Sequence, residues 1–106
     1  VSPRWIESAD REVKLEKIIT QKWLACWPES YEAWSEQRRT GYPKLFPVMV
    51  NYSQGEIDTD LGPRRLPFTI NEKDNNPTGY AKAVEMLGGP DNAATRVFWD
   101  VNKSNF

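Results

Sequence analysis

Apolar residues recur at intervals of three and four along the chain from Asp10 to Trp27. Leu15, Ile18, Ile19, Trp23, Cys26 and Trp27 share one face, and Arg11, Lys14, Lys17 and Gln21 fill the other. That rhythm predicts an amphipathic helix over 10–27, with Asp10 and Glu12 at the positive end of its dipole. Trp23 and Trp27, four apart, would lie on the same side. Pro28 has no backbone N–H and interrupts. A second helix is predicted over 30–39, with Ser30 as N-cap, Glu32 in the first turn and Arg38-Arg39 at the negative end. Tyr31 and Trp34 are its large rings. Gly41 suits a left-handed cap, and Pro43 forbids continuation.

The periodicity then lapses. Residues 40–76 hold four of the eight prolines and three of the six glycines. Two short pieces, 47–50 and 66–70, read as extended, and the proline in each confines them to sheet edges. A structureless loop of this length is uncommon in a compact domain. Yet Tyr42, Phe46, Val50, Tyr52, Leu66 and Phe68 are too many apolar groups to leave in water. The expectation is an ordered coil lying on a surface that the rest of a larger body supplies. A third helix is predicted over 78–87, with Thr78 as N-cap, Tyr80, Ala83, Val84 and Leu87 as its stripe, and Gly88-Gly89 closing it. Val97, Trp99 and Val101 alternate, which predicts a short strand-like tail. The fold class so read is mainly α: two or three helices plus a long ordered irregular coil, forming one segment over 1–106.

Composition narrows the chemistry. There is no histidine, and Cys26 is the single cysteine. An internal disulfide is therefore impossible, a Cys/His metal site is close to excluded, and no Ser-His or Cys-His pair can form. The net charge of -1, from 14 basic and 15 acidic residues, offers no footprint for nucleic acid. No apolar run approaches the roughly 20 residues that span a bilayer. The start on Val1 rather than methionine reads as a processed or excised piece. Nothing points to an enzyme or calls for a cofactor.

Three constellations invite a functional reading, and each has a structural one beside it. Trp23, Trp27 and Trp34 could stack on sugar rings, but rings at helical spacing read as core. Arg38-Arg39 and Arg64-Arg65 could fork onto a carboxylate or phosphate. Arginines in such a coil more often satisfy backbone carbonyls or pair with Glu and Asp of the same chain, and that reading is preferred. Asp58-Thr59-Asp60-Leu61-Gly62 opens like a calcium loop, lacks the further carboxylates, and reads as a turn.

Four segments, taken in order, carry a resemblance. They are Ile18-Ile19-Thr20-Gln21-Lys22-Trp23; Glu32-Ala33-Trp34 with Arg38-Arg39-Thr40-Gly41-Tyr42-Pro43; Arg64-Arg65-Leu66-Pro67-Phe68 with Asn71-Glu72 and Asn75-Asn76; and Gly88-Gly89-Pro90-Asp91 with Thr95 and Phe98-Trp99-Asp100. Together they resemble the C-terminal part of the SusD/RagB family of nutrient-binding outer-membrane lipoproteins of Bacteroidetes. Phe68 and Phe98 stand where Tyr and Trp are common. The resemblance makes Trp23, Trp34, Arg38, Arg39, Gly41, Pro43, Arg65 and Trp99 a structural signature, and it assigns no ligand residue to this chain. It implies a mainly α-helical body with tetratricopeptide-like helix pairs, most of it outside this chain. It further implies capture of an oligosaccharide, through the part not present here, and delivery to a SusC-like TonB-dependent transporter. The location implied is the cell outer membrane, as a surface-exposed lipoprotein whose anchoring cysteine is not Cys26. No nucleic-acid partner is implied, and the isolated piece would be prone to self-association. The alternative is an autonomous protein- or peptide-interaction module.

Overall fold

The computed structural model describes residues 2–104. It contains four helices, α1 (Arg11–Ala25), α2 (Ser30–Thr40), α3 (Ile70–Asn75) and α4 (Pro77–Leu87). No strand forms among the described residues, and the sole bridge among them joins Asp58 to Gly62. The chain divides into two compact units, one of residues 2–47 with 101–104, the other of Val48–Asp100.

In the first unit Asp10 caps α1, its carboxylate accepting from the Glu12 N–H at 3.2 Å. The helix stops sooner than the expected Trp27: Cys26 is the C-cap. The residue before a proline is pushed away from the helical region, so Trp27 belongs to the corner at Pro28 rather than to α1. The N-cap also differs from expectation. Ser30 is the first residue of α2, and Glu29 occupies the cap without a side-chain bond. The far end of α2 is as expected: Gly41 adopts φ 78°, and its N–H donates to the Gln37 carbonyl at 2.8 Å. Lys22 of α1 ties to Glu32 (2.8 Å) and Glu36 (3.5 Å) of α2. The tail returns to α2 through the Val101 N–H, which donates to the Arg38 carbonyl at 3.1 Å. Lys103 and the Tyr42 hydroxyl both meet the Glu12 carboxylate, which is held below the usual carboxylate range by those two bonds. Buried Lys17 donates to the carbonyls of Ser2 and Arg4, fixing the N-terminal arm on α1.

In the second unit the extended pieces expected at 47–50 and 66–70 do not form strands. Thr69 instead caps α3, its hydroxyl accepting from the Glu72 N–H at 3.4 Å, and Ile70 opens that helix. Asn76, not Thr78, caps α4 by accepting from the Gly79 N–H at 3.2 Å. Pro77 takes the first helical position, where its missing N–H costs nothing and its fixed φ is already helical. Gly88 closes α4 at φ 74°. The alternating residues 97–101 make a turn rather than a strand, with the Asp100 N–H donating to the Val97 carbonyl at 3.1 Å.

Polar side chains order the coil. Asn51 donates to the Ile57 carbonyl and Thr59 Oγ1 and accepts from the Ser53 N–H, all within 2.9 Å. Asp58 spends its carboxylate on the N–H groups of Asp60 and Leu61 at 2.8 and 2.7 Å, which makes the acidic stretch a turn. Apolar burial does little of this work. Ile19, Ala33 and Pro43 are the buried apolar side chains among the described residues.

Candidate functional site

The two units each present one feature with chemical content. In the first, the end of α1, the corner at Pro28 and the inner face of α2 enclose a half-open groove of about 630 Å³. Trp23, Trp27 and Trp34 stand around it with Leu24 and Leu45. The polar groups at its wall are Ser30 and Gln37, and the Gln37 amide already donates to the Pro43 carbonyl at 3.4 Å. The Arg38 guanidinium lies 3.6 Å from the centre of the Trp34 ring, one helical turn away. The expectation that all three rings are core is not met within this chain, since Trp27 is 88% exposed and Trp23 37%.

In the second unit the interior is ionic. Arg64 is fully buried, and its fork meets Asp100 with Nε to Oδ2 and Nη2 to Oδ1, both at 2.6 Å. Its Nη1 donates to the Leu61 carbonyl at 2.9 Å, and its backbone N–H to that of Ala93 at 2.8 Å. Arg65 points its Nη1 at Asp91 Oδ1 (2.7 Å) and the Asn92 carbonyl (3.2 Å), with its guanidinium 4.7 Å from the Phe68 ring centre. Asp91 also accepts from the Phe68 N–H at 2.9 Å, from the Tyr80 hydroxyl at 3.1 Å and from Lys73 at 3.2 Å. Burial acts to raise the Asp91 carboxyl, but the Phe68 amide, Arg65, Lys73 and Tyr80 outweigh it and hold the group well below the usual carboxylate range. Bonding to the same carboxylate raises Lys73. One carboxylate thereby joins α3, α4 and the 91–95 loop.

The preferred reading of the arginines therefore holds for Arg64 and Arg65, which serve the fold. It holds also for Arg39, which forks onto Glu36 at 3.0 and 2.7 Å. Of the signature residues, Trp23 and Trp34 meet at the groove, while Arg38, Arg39, Gly41 and Pro43 form the end of α2 and its exit. Arg65 belongs to the ionic interior of the other unit, where Trp99 is 38% exposed. Sequence reasoning missed the partners: Asp91 and Asp100 sit inside two of the resembling segments, but no spacing rule links an arginine to a carboxylate 36 positions on. Among the described residues there is no cluster of ligating side chains for a metal, and no helix is long and apolar enough to cross a membrane.

Comparison with known proteins places these features. The family model described as SusD-like, SusD and RagB outer membrane lipoprotein, matches residues 1–100. No curated protein matches the chain. Among solved structures, a chitin-binding SusD homologue from Flavobacterium johnsoniae is 59% identical, with a TM-score of 0.91, over 100% of this chain and 22% of its own. A SusD homologue from Bacteroides vulgatus is 56% identical with a TM-score of 0.84, covering 94% of this chain and 20% of its own. One from Bacteroides uniformis is 49% identical with a TM-score of 0.86, over 92% and 20%. The chain thus spans about a fifth of the length of the solved structures it matches. It belongs to the SusD-like family of outer-membrane lipoproteins.

Proposed function

We propose that this chain is the C-terminal part of a cell-surface glycan-capture lipoprotein of the outer membrane, one that passes oligosaccharide to a SusC-like TonB-dependent transporter and performs no chemistry on it. The observation that carries this reading is the 59% identity, over the whole chain, to a SusD homologue described as chitin-binding. The C-terminal placement is supported by the order of the four resembling segments, which ends on the Phe98-Trp99-Asp100 counterpart of the family's closing motif. The ionic interior supports a scaffolding role, because its charges are spent on one another. Chitin oligosaccharide is the first ligand to test.

Titration calorimetry on the full-length polypeptide carrying this chain should show saturable binding of a chitin oligosaccharide. Absence of heat with chitin and with a panel of other glycans would sink the capture reading. The 106-residue chain by itself should show negligible heat with the same sugars. Tight binding by that piece would overturn the assignment of the ligand site to the rest of the protein.

A further inference from the structure

The Asp91 carboxylate is divided between two sets of partners. Its Oδ1 accepts from Arg65 Nη1 at 2.7 Å and from the Phe68 N–H at 2.9 Å, both outside the helices. Its Oδ2 accepts from Lys73 of α3 at 3.2 Å and from the Tyr80 hydroxyl of α4 at 3.1 Å. We propose that residues 70–87 form a flap, latched at Oδ2, that opens while the Arg64–Asp100 core of the second unit stays closed. This is independent of which ligand the protein captures.

Three observations carry it. First, the two helices are shallowly seated. Every residue of α3 is exposed, and the α4 stripe of Tyr80, Ala83, Val84 and Leu87 is half-buried at most. Segments with few buried apolar contacts are the ones that open locally. At six and eleven residues, neither helix is long enough to hold itself in water. They pack on each other, so they move as a pair. Second, the other side of the latch is braced without them. The Arg64 N–H donates to the Ala93 carbonyl, and Arg65 reaches the Asn92 carbonyl. Asn92 Oδ1 accepts from the N–H groups of Ala94 and Thr95 at 3.2 and 3.0 Å. The 91–95 loop therefore keeps its shape, and Asp91 its place, when the flap lifts. Third, the pivot is marked. Gly88 has φ 74°, and among the described residues nothing lies within 4 Å of where its Cβ would sit. One residue on, a Cβ at Gly89 would meet Thr95 Cγ2 at 3.0 Å, so the anchored part begins there.

The test is amide hydrogen exchange of the full-length polypeptide, read by peptide mass. Protection within 70–87 should be several-fold weaker than protection across 61–66. The double variant Lys73→Met with Tyr80→Phe removes both bonds to Oδ2 and leaves Arg65 and the Phe68 amide on Oδ1. It also keeps the edge-on contact between rings 68 and 80, whose centres lie 5.9 Å apart. Exchange within 70–87 should then quicken several-fold again, with 61–66 unchanged. Equal protection of the two stretches in the unsubstituted protein would overturn the proposal. A variant in which both stretches quicken together would also overturn it, because the unit would then open as a whole. So would a variant in which 70–87 does not respond, since Oδ2 would then latch nothing.

Discussion

At the scale of single residues, the second unit hangs on charge rather than grease. Arg64 and Asp100 are both sealed from water and bound by two parallel bonds. Removing one partner strands a buried charge, which costs about 3–5 kcal/mol. Asp100→Ala should therefore shift the urea midpoint far down. The double change Arg64→Met with Asp100→Leu, which leaves no charge buried, should recover part of the loss. Asp91 makes a second prediction, for pH. Its folded pKa lies below the unfolded value of about 3.9. Its contribution is thus complete above that pH and fades as pH falls toward the depressed folded value. A series of urea melts from neutral to acid pH should show that loss, and Asp91→Asn should flatten it. Neither carboxylate's partner was legible in the sequence. The general expectation that arginines bind the chain's own acids was right, but contacts across 26 and 36 positions leave no periodic trace.

At the scale of elements, legibility followed local chemistry. Asp10, Gly41 and Gly88 end their helices as their side chains, or lack of one, dictate. The errors came where two local rules competed. Thr78 is a good cap by type, but Asn76-Pro77 combines a better cap with the residue preferred at the first helical position, and that pair won. Trp27 fitted the helical period, but its proximity to Pro28 decided its fate. The six-residue α3 is too short to show a period, and Thr69, its cap, lies in a stretch whose β-branched and aromatic residues read as extended. Asn76→Ala should cost about 1 kcal/mol through loss of the cap on α4, measurable as a lower unfolding midpoint. Gly41→Ala should cost about 1–2 kcal/mol from the left-handed backbone alone. A crowding penalty adds to it, because a Cβ there would sit 2.9 Å from the Lys103 Cβ.

At the scale of the whole molecule, the exposed apolar surface is the dominant fact. Phe46, Met49, Tyr52, Trp27, Met86 and Phe98 are each at least 88% exposed, far beyond the scatter of single apolar residues that a soluble surface tolerates. The expectation that the coil was shaped to lie on a larger body came from counting such residues in a stretch without periodicity. The chain spans about a fifth of the length of the relatives it matches. The isolated 106-residue chain should associate in a concentration-dependent manner by light scattering and bind a hydrophobic dye. A dilute-to-concentrated series that stays monomeric and dark would contradict this. The Arg64–Asp100 bond also has a temporal meaning. Synthesis runs from the N-terminus, so the guanidinium emerges 36 residues before the carboxylate that lets it leave water. Ribosome-stalled nascent chains whose exposed portion stops short of Asp100 should stay protease-sensitive across Val48–Trp99, and those that expose it should become resistant. The second unit is thus expected to close only after its last residue has emerged from the ribosome.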